Sequence, residues 1–434
     1  VNARVPARVS IDTQALTDNA RALHRVLAPG AQLMAVVKAD GYGHGLVTAA
    51  RAALAGGASW LGVAHPDSAL ALRDAGITAP ILAWLPSPGT ADLLCEVIAR
   101  NVEVGAGSVD MLDVIATAAR AAGRMARVHL ELDTGFGRGG VIESGVTELV
   151  GHAADLAASG ALEVVGAWTH LAVADEPDRP ETDDQLRCFD RGCTLIERVL
   201  KERDLPALRW RHAANSAAIL TRPDAHYNLV RAGIALYGYP PVSASMPDDV
   251  LDESIEDAEV RIRRRTEAGP QPQPPSPPQP RLQPKSRPEP DSQSQPQPFL
   301  RPAMTLSGEL ALVKRVNAGQ GVSYGLTHMC DRDTVLGIVP VGYADGLHRA
   351  ASGGVRVLVE TAAGAICVPQ IGRICMDQIV LDLGPDAAAR VGDKVVLFGD
   401  GPVTADNWAQ AAGTIAYEVL TSVSSRIPRE TQED

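Results

Sequence analysis

Only five of the 40 basic residues are lysine, namely Lys38, Lys201, Lys285, Lys314 and Lys394, and the first stands where lysine chemistry is expected. It closes the apolar run Leu33-Met34-Ala35-Val36-Val37 and opens Ala39-Asp40-Gly41-Tyr42-Gly43-His44-Gly45. The carboxyl end of a buried parallel strand is the face on which barrel active sites are built. Burial disfavours the charged amine, which frees it to form an imine with an aldehyde. A lone strand-end lysine would more simply snorkel to water, but the glycine-rich segment after this one reads as a ligand loop. Four other segments share its character. Asp133-Thr134-Gly135-Phe136-Gly137-Arg138 offers a close-approach backbone and a guanidinium fork for a carboxylate or phenolate. Thr169-His170, His212-Ala213-Ala214-Asn215-Ser216 and Val230-Arg231-Ala232-Gly233-Ile234 each follow or end an apolar run. Taken singly, His170 reads equally well as a core histidine and Arg231 as an ion pair.

The elements that must position these residues alternate. Short β-rich runs at 33–37, 60–63, 81–84, 102–104, 128–132, 164–168, 208–210 and 229–230 are separated by segments with helical spacing, after a first helix over 13–27. The runs are apolar on nearly every residue, as strands buried on both faces should be. Eight βα units predict an α/β fold with a closed (β/α)8 barrel, a doubly wound open sheet being the alternative. Residues 242–298 break the pattern: 12 of the 31 prolines fall within 270–298, interleaved with Gln and Ser, a composition that cannot build a core. After Phe299 the pattern turns to β, with strands expected at 304–315, 334–341, 355–360, 365–371, 378–383 and 394–398 and a last helix at 404–412. The expected organisation is a barrel over 11–241, a proline-rich insertion over 242–298 and a mainly-β domain over 299–434, with residues 1–10 in a position to join the last.

A chain of 434 residues with net charge −12 and 45% apolar positions can bury sizeable cores. Its sign disfavours a polyanion partner, so no nucleic-acid role is expected. No run of 18 apolar residues predicts a membrane span, and residues 1–10 lack the apolar centre of a signal peptide, so a cytoplasmic address is expected. The six cysteines show no C-x-x-C pair or zinc-ligand spacing, so no metal is expected and the thiols are read as reduced and mostly core.

A lysine, a barrel and backbone donors from its last two strands together point to pyridoxal phosphate. At this level the chain resembles the bacterial alanine racemase family over nearly its whole length. The motifs are Ala35–Gly45, Asp133–Arg138, His212–Ala217, Val322-Ser323-Tyr324-Gly325, Gly342-Tyr343-Ala344-Asp345-Gly346 and Gly372–Gln378. The resemblance implies an N-terminal (β/α)8 barrel, a C-terminal β-domain and a head-to-tail homodimer interconverting L- and D-alanine for peptidoglycan. It gives Lys38 the roles of holding the cofactor as an internal aldimine and acting as one base. Tyr324 of the partner subunit is given the opposite face. Racemisation needs two such groups, since one removes the proton and the other returns it. Arg231 resembles the arginine facing the pyridine nitrogen, a cation that donates without readily losing its proton. His170 resembles the histidine beside the ring. Tyr42, Asn215, Ser216, Gly233, Ile234 and Tyr417 correspond to the rest of the cofactor site. Arg138 and the partner's Met376 correspond to substrate contacts, and Asp175, Tyr343, Arg349, Arg373 and Ile415 to the access corridor.

One position departs from the family. Many members carry a carbamylated lysine seven residues before the motif arginine; here it is Glu131, which supplies a carboxylate directly and is expected to pair with Arg138 and hold it toward the cofactor phenolate and substrate carboxylate. The alternatives are a serine or broad-specificity racemase, a barrel-type decarboxylase, whose C-terminal motifs differ, and a non-catalytic cofactor-binding protein. Proteins of the last kind lack the β-domain.

Overall fold

The computed structural model describes residues 7–241 and 299–432. The expected insertion at 242–298 lies outside the described residues. Ten strands precede it: β1 (Ala7–Asp12), β2 (Gln32–Val36), β3 (Trp60–Val63), β4 (Ile81–Ala83), β5 (Glu103–Ala106), β6 (Ala126–Asp133), β7 (Val141–Ile142), β8 (Leu162–Trp168), β9 (Trp210–His212) and β10 (Leu229–Ala232). Eight of them form a parallel sheet in the order β10-β2-β3-β4-β5-β6-β8-β9, the two-residue β7 pairing with β6. The eight expected runs are these strands, shifted by up to two residues at their ends.

The curled sheet is a nearly closed barrel whose seam lies between β9 and β10. There the ladder is replaced by single contacts. The Arg231 amide donates to the Ala214 carbonyl at 2.9 Å. The Asn228 amide side chain accepts from Arg211 N at 2.8 Å and donates to Arg209 O at 2.6 Å. Carbonyls freed at this seam become partners for a side chain of the site. Helices cover the outside, and each presents one buried stripe: Val109–Ala122, for example, is capped by Ser108 through Met111 N and buries Leu112, Ile115, Ala116 and Ala119.

The strands are less apolar than their composition suggests. Glu103, His129, His212 and Arg231 are buried, and the hydrogen bonds among them run through the inside of the barrel.

The second sheet is antiparallel for the most part. Its strands are β11 (Met304–Glu309), β12 (Leu312–Val316), β15 (Thr334–Val339), β16 (Arg356–Thr361), β17 (Gly364–Ile371), β18 (Ile379–Gly384), β19 (Lys394–Phe398) and β20 (Arg429–Gln432), with a separate hairpin of β13 (Gly321–Val322) and β14 (His328–Met329). The order is β12-β15-β18-β17-β16-β19-β11-β1-β20. The strand expected over 304–315 is two strands, because the chain leaves one ladder after Glu309, buries Leu310 and pairs anew from Leu312. A helix over Ala416–Ser422 follows the expected one, which spans Ala405–Ala412.

Strand β1 belongs to this second sheet, antiparallel to β11 and parallel to β20. The barrel is tied to it by buried polar contacts. Asn19, in the helix Thr13–Arg25, donates to Leu236 O at 3.1 Å and Arg301 O at 2.8 Å and accepts from Arg301 N at 2.9 Å. Among the described cysteines only Cys193 and Cys330 are buried, so the reading of the thiols as mostly core does not hold; all six are unpaired.

Candidate active site

The turn after Lys38 is left-handed. Ala39, Asp40, Gly41, Tyr42 and Gly43 have φ of 52°, 53°, 61°, 53° and 82°, a conformation costing about 1 kcal/mol or more for each non-glycine residue. The surroundings impose it. Gly41 N donates to Val37 O at 2.9 Å, Gly45 N to Asp40 O at 2.9 Å, and Asp40 Oδ1 accepts from Leu46 N at 2.7 Å, capping the next helix. Gly43 lies so close to the C-terminal helix that a Cβ would sit 2.6 Å from Leu420 O, while Arg429 Nε donates to Gly43 O at 3.2 Å. The turn delivers Tyr42 inward, its ring stacked 4.6 Å from Tyr237 and tilted against Tyr417 at 6.0 Å. Tyr237, which sequence reasoning missed, is fixed by its hydroxyl donating to Val36 O at 3.0 Å.

Lys38 itself is part-buried, its Nζ 5.9 Å from the Trp84 ring centroid. Burial, then the charges of Arg138 and Arg231, pull its pKa below the ordinary lysine value. That favours the nucleophilic free amine.

Arg231 is buried, and its guanidinium lies 5.1 Å over the Trp168 ring. Nη1 donates to His212 O at 2.8 Å and His212 Nδ1 at 3.1 Å; Nη2 donates to Thr169 O at 2.7 Å and Ala213 O at 3.0 Å, with His170 Nδ1 at 3.4 Å. The four Nη hydrogens are therefore used, and among the described residues the Nε–H has no acceptor. Burial lowers this guanidinium to about 9, with Glu131 opposing and Arg138 reinforcing the shift, so it remains a cation at neutral pH. His170 is brought down to about 3 by burial and by Arg231, Arg138 and Lys38, so it is neutral. Its ring meets Phe136 edge-on at 5.1 Å.

A third feature lies at the ends of β9 and β10. Ser216 Oγ accepts from Gly233 N at 2.8 Å and Ala235 N at 3.3 Å, and Asn215 caps the short helix Ser216–Thr221 through Ala218 N at 3.1 Å. A Cβ on Gly233 would lie 2.7 Å from Tyr42 Oη and 3.7 Å from Ser216 Oγ. Tyr42, Ser216 and Gly233 thus line a small polar cradle that a side chain would fill, with buried Ile234 beside it. Tyr417, 37% exposed, borders it through Tyr42, and the covered part of its surroundings together with Asp175 pushes its phenol up to about 12.

The Asp133 carboxylate shapes the Arg138 loop by accepting from Gly135, Phe136 and Gly137 amides at 3.0, 3.0 and 3.1 Å. The guanidinium lies 4.4 Å over the Phe136 ring. Glu131 sits against three glycines, where Cβ atoms on Gly139, Gly140 and Gly107 would lie 3.0, 2.9 and 3.4 Å from its side chain. Burial raises its carboxyl to about 6 against the pull of Arg138 and Arg231. The expected pairing of Glu131 with Arg138 is not made: no ion pair within 4.0 Å joins them among the described residues, and the two side chains influence one another only at longer range.

The remaining site candidates form a separate group. Three C-terminal motifs converge: Ser323 Oγ donates to Arg373 O at 2.6 Å, Tyr343 N to Cys375 O at 3.0 Å and Ala344 N to Met376 O at 2.9 Å. The Met376 N–H has no acceptor among the described residues. Tyr324 follows Ser323, whose φ is 60°, and projects outward with 67% of its surface exposed. Within one chain no hydrogen bond or ring contact joins Tyr324 to Lys38 among the described residues. Met376, Tyr343, Ile415, Arg349, Arg373 and Asp175 are also exposed, and Leu326 and Met329 extend the apolar part of that surface. No group of three or more metal-ligating side chains occurs among the described residues, and no described helix is long and apolar enough to cross a membrane.

Comparison with known proteins gives the same picture. The family model described as "Alanine racemase, N-terminal domain" matches residues 11–241, and the one described as "Alanine racemase, C-terminal domain" matches 303–431. The chain is 44% identical over 435 residues to the alanine racemase of Salinispora arenicola, covering 98% of this chain and 97% of that one. It is 42% identical over 426 residues to that of Thermobifida fusca, again covering 98% and 97%. The solved alanine racemase from Streptomyces coelicolor A3(2) superposes with a TM-score of 0.82 at 41% identity, covering all of both chains. The one from D-cycloserine-producing Streptomyces lavendulae gives 0.80 at 41%, covering 99% and 97%.

Proposed function

The chain belongs to the alanine racemase family, and from that membership we propose that it interconverts L- and D-alanine with pyridoxal phosphate. The observation that carries the cofactor reading is the convergence on one barrel face of three matched parts. These are a desolvated lysine amine, a buried arginine with its Nε–H left over, and a cradle of hydroxyls and amides that a Cβ would fill. The three suit, in turn, an aldehyde, a ring nitrogen and a phosphate. When bound, the cofactor supplies an electron sink that acidifies the substrate Cα–H.

The chain's own residues do the rest. Lys38 holds the cofactor and moves a proton on one face of Cα. Tyr324 of the partner subunit serves the other face, the two exchanging roles with the direction of reaction. Arg231 faces the ring nitrogen as a donor that stays protonated near neutral pH, so it does not hand that nitrogen a proton. The sink is thereby weakened and side reactions such as transamination are restrained. Neutral His170 packs beside the ring. Tyr42, Asn215, Ser216, Gly233, Ile234 and Tyr417 hold the phosphate side. Arg138, offset in charge by Glu131, and the free amide of the partner's Met376 bind the substrate carboxylate.

Exposure of Tyr324, Leu326, Met329, Tyr343, Met376 and Ile415 supports the homodimer, since single chains seldom leave so many large apolar groups together in water. In this reading the enzyme is cytoplasmic and its D-alanine serves peptidoglycan synthesis. The test is the absorbance of purified protein before and after borohydride, followed by racemisation assays with alanine, serine and lysine. Deuterium incorporation at Cα without loss of CO2 is expected. Absence of a borohydride-fixed cofactor, or no turnover of alanine, would defeat the reading.

A further inference from the structure

Arg231 is the first member of a buried hydrogen-bonded chain that leaves the site and runs through the barrel. Its Nη1 meets His212 Nδ1 at 3.1 Å, His212 Nε2 meets His129 Nδ1 at 2.9 Å, and His129 Nε2 meets Glu103 Oε2 at 2.7 Å. Glu103 Oε1 then pairs with Arg127 Nε at 2.9 Å. Glu103 is the first residue of β5 and His212 the last of β9, so the chain links the two rims of the barrel. His129 and His212 have no exposed surface, and Glu103 is 5% exposed. Trp168 lies parallel to His212 at 6.0 Å, and Trp60 meets His129 edge-on at the same distance. Gly166 makes the room: a Cβ there would lie 2.3 Å from His129 Nδ1.

The chemistry of the ends fixes every proton between them. A guanidinium can only donate, so His212 Nδ1 must be the acceptor and the proton of that neutral ring must sit on Nε2. It then donates to His129 Nδ1, which puts the proton of His129 on Nε2, pointing at Glu103. A chain that starts at a pure donor must end at a pure acceptor, and an ionised carboxylate is one. Without that acceptor, His129 would turn its proton to Nδ1, His212 would follow, and two N–H groups would face each other at Arg231.

We propose that Glu103 is a positioning residue for the reaction, acting through His129 to hold His212 in the tautomer that accepts from Arg231 and so keep the arginine Nε–H directed to the cofactor ring. The proposal rests on the reading that Arg231 faces the pyridine nitrogen. Its first test does not, because 15N NMR of histidine-labelled wild type without cofactor reports the two tautomers directly. Both rings are expected neutral and protonated at Nε2; a proton on Nδ1 of His212 overturns the proposal without any variant. In E103L, His212 should gain Nδ1–H, and kcat for alanine should fall about tenfold, the worth of one hydrogen bond to a charged group, with KM changed less than twofold. In E103Q the amide carbonyl still accepts, and both readouts should return to within twofold of wild type. A tautomer unchanged in E103L, or a shifted tautomer with unchanged kcat, refutes the role. Expected tautomers in a wild type that forms no borohydride-fixed cofactor would instead refute the cofactor reading.

Discussion

Replacing Glu131 by glutamine keeps the side chain's shape and removes its charge, and stability and activity should then move in opposite directions. Burial lifts this carboxyl from its ordinary 4.5 to about 6 despite Arg138 and Arg231. A displacement of that size corresponds to about 2 kcal/mol against the ionised form in the folded protein, or about 1 kcal/mol once partial solvent access is allowed for. Below pH 4.5 the group is protonated folded and unfolded, so the penalty is absent. It grows as pH rises from 4.5 to 6 and is constant above. E131Q should therefore be about 1 kcal/mol more stable than wild type at pH 8 and equal to it near pH 4, as read from paired urea titrations. Activity should fall, because Arg138 loses the anion that offsets it beside Lys38 and Arg231. A loss of about 1.4 kcal/mol, or tenfold in kcat/KM, is of the order expected for two partly buried charges that interact across more than 4 Å at an intermediate effective dielectric. It should appear mainly in KM for alanine, with cofactor still bound. The wild-type kcat/KM should decline as pH falls through about 6, and that limb should be missing in E131Q. Unchanged kcat/KM and an unchanged limb would refute the supporting role, and a variant less stable at pH 8 would refute the desolvation argument.

Three further outcomes are expected. K38A should retain its fold by circular dichroism but show no borohydride-fixed cofactor and no exchange of the alanine Cα hydrogen with solvent deuterium. G233A drives a methyl to 2.7 Å from Tyr42 Oη and asks alanine to hold ψ −107° at φ −103°, outside the regions open to an L-residue, so fluorescence titration should show cofactor binding weakened about tenfold and the melting temperature should fall as well. N19L removes the three hydrogen bonds that the buried Asn19 side chain makes to Leu236 and Arg301, and urea unfolding should show a loss of about 3 kcal/mol.

Much of the barrel was legible because its signal is local. Each strand is a short apolar run bounded by helical spacing, and residues at the run ends, such as Lys38 and Arg231, point to the same rim whatever the tertiary detail. The left-handed turn was half legible: glycines at 41, 43 and 45 announce it, but Ala39, Asp40 and Tyr42 adopt the same φ only because the Asp40 cap, Leu420 and Arg429 impose it. His129 and Glu103 were invisible as a pair. A single polar residue in an apolar strand carries no partner's address, and only the barrel's curvature brings them to 2.7 Å. The split at Leu310 was missed for a related reason, since an apolar run reads as one strand whether or not its ladder changes midway. Tyr324 could be recognised as a motif, but its 67% exposure could not be read from the sequence, since a tyrosine between a serine and a glycine carries no sign of which way it will face.

The placement of β1 between β11 and β20 bears on how the protein is made. The barrel strands can pair with near neighbours while the ribosome is still working, whereas β1 stays unpartnered until about 300 further residues have been synthesised. The final stitching of that sheet also brings Leu420 and Arg429 against Gly43. The turn carrying Lys38 should thus acquire its shape late, so that a nascent or truncated chain can hold a well-formed barrel and still be chemically silent. Pulsed hydrogen exchange during refolding should find amides of β5 and β6 protected before those of β1 and of residues 39–45.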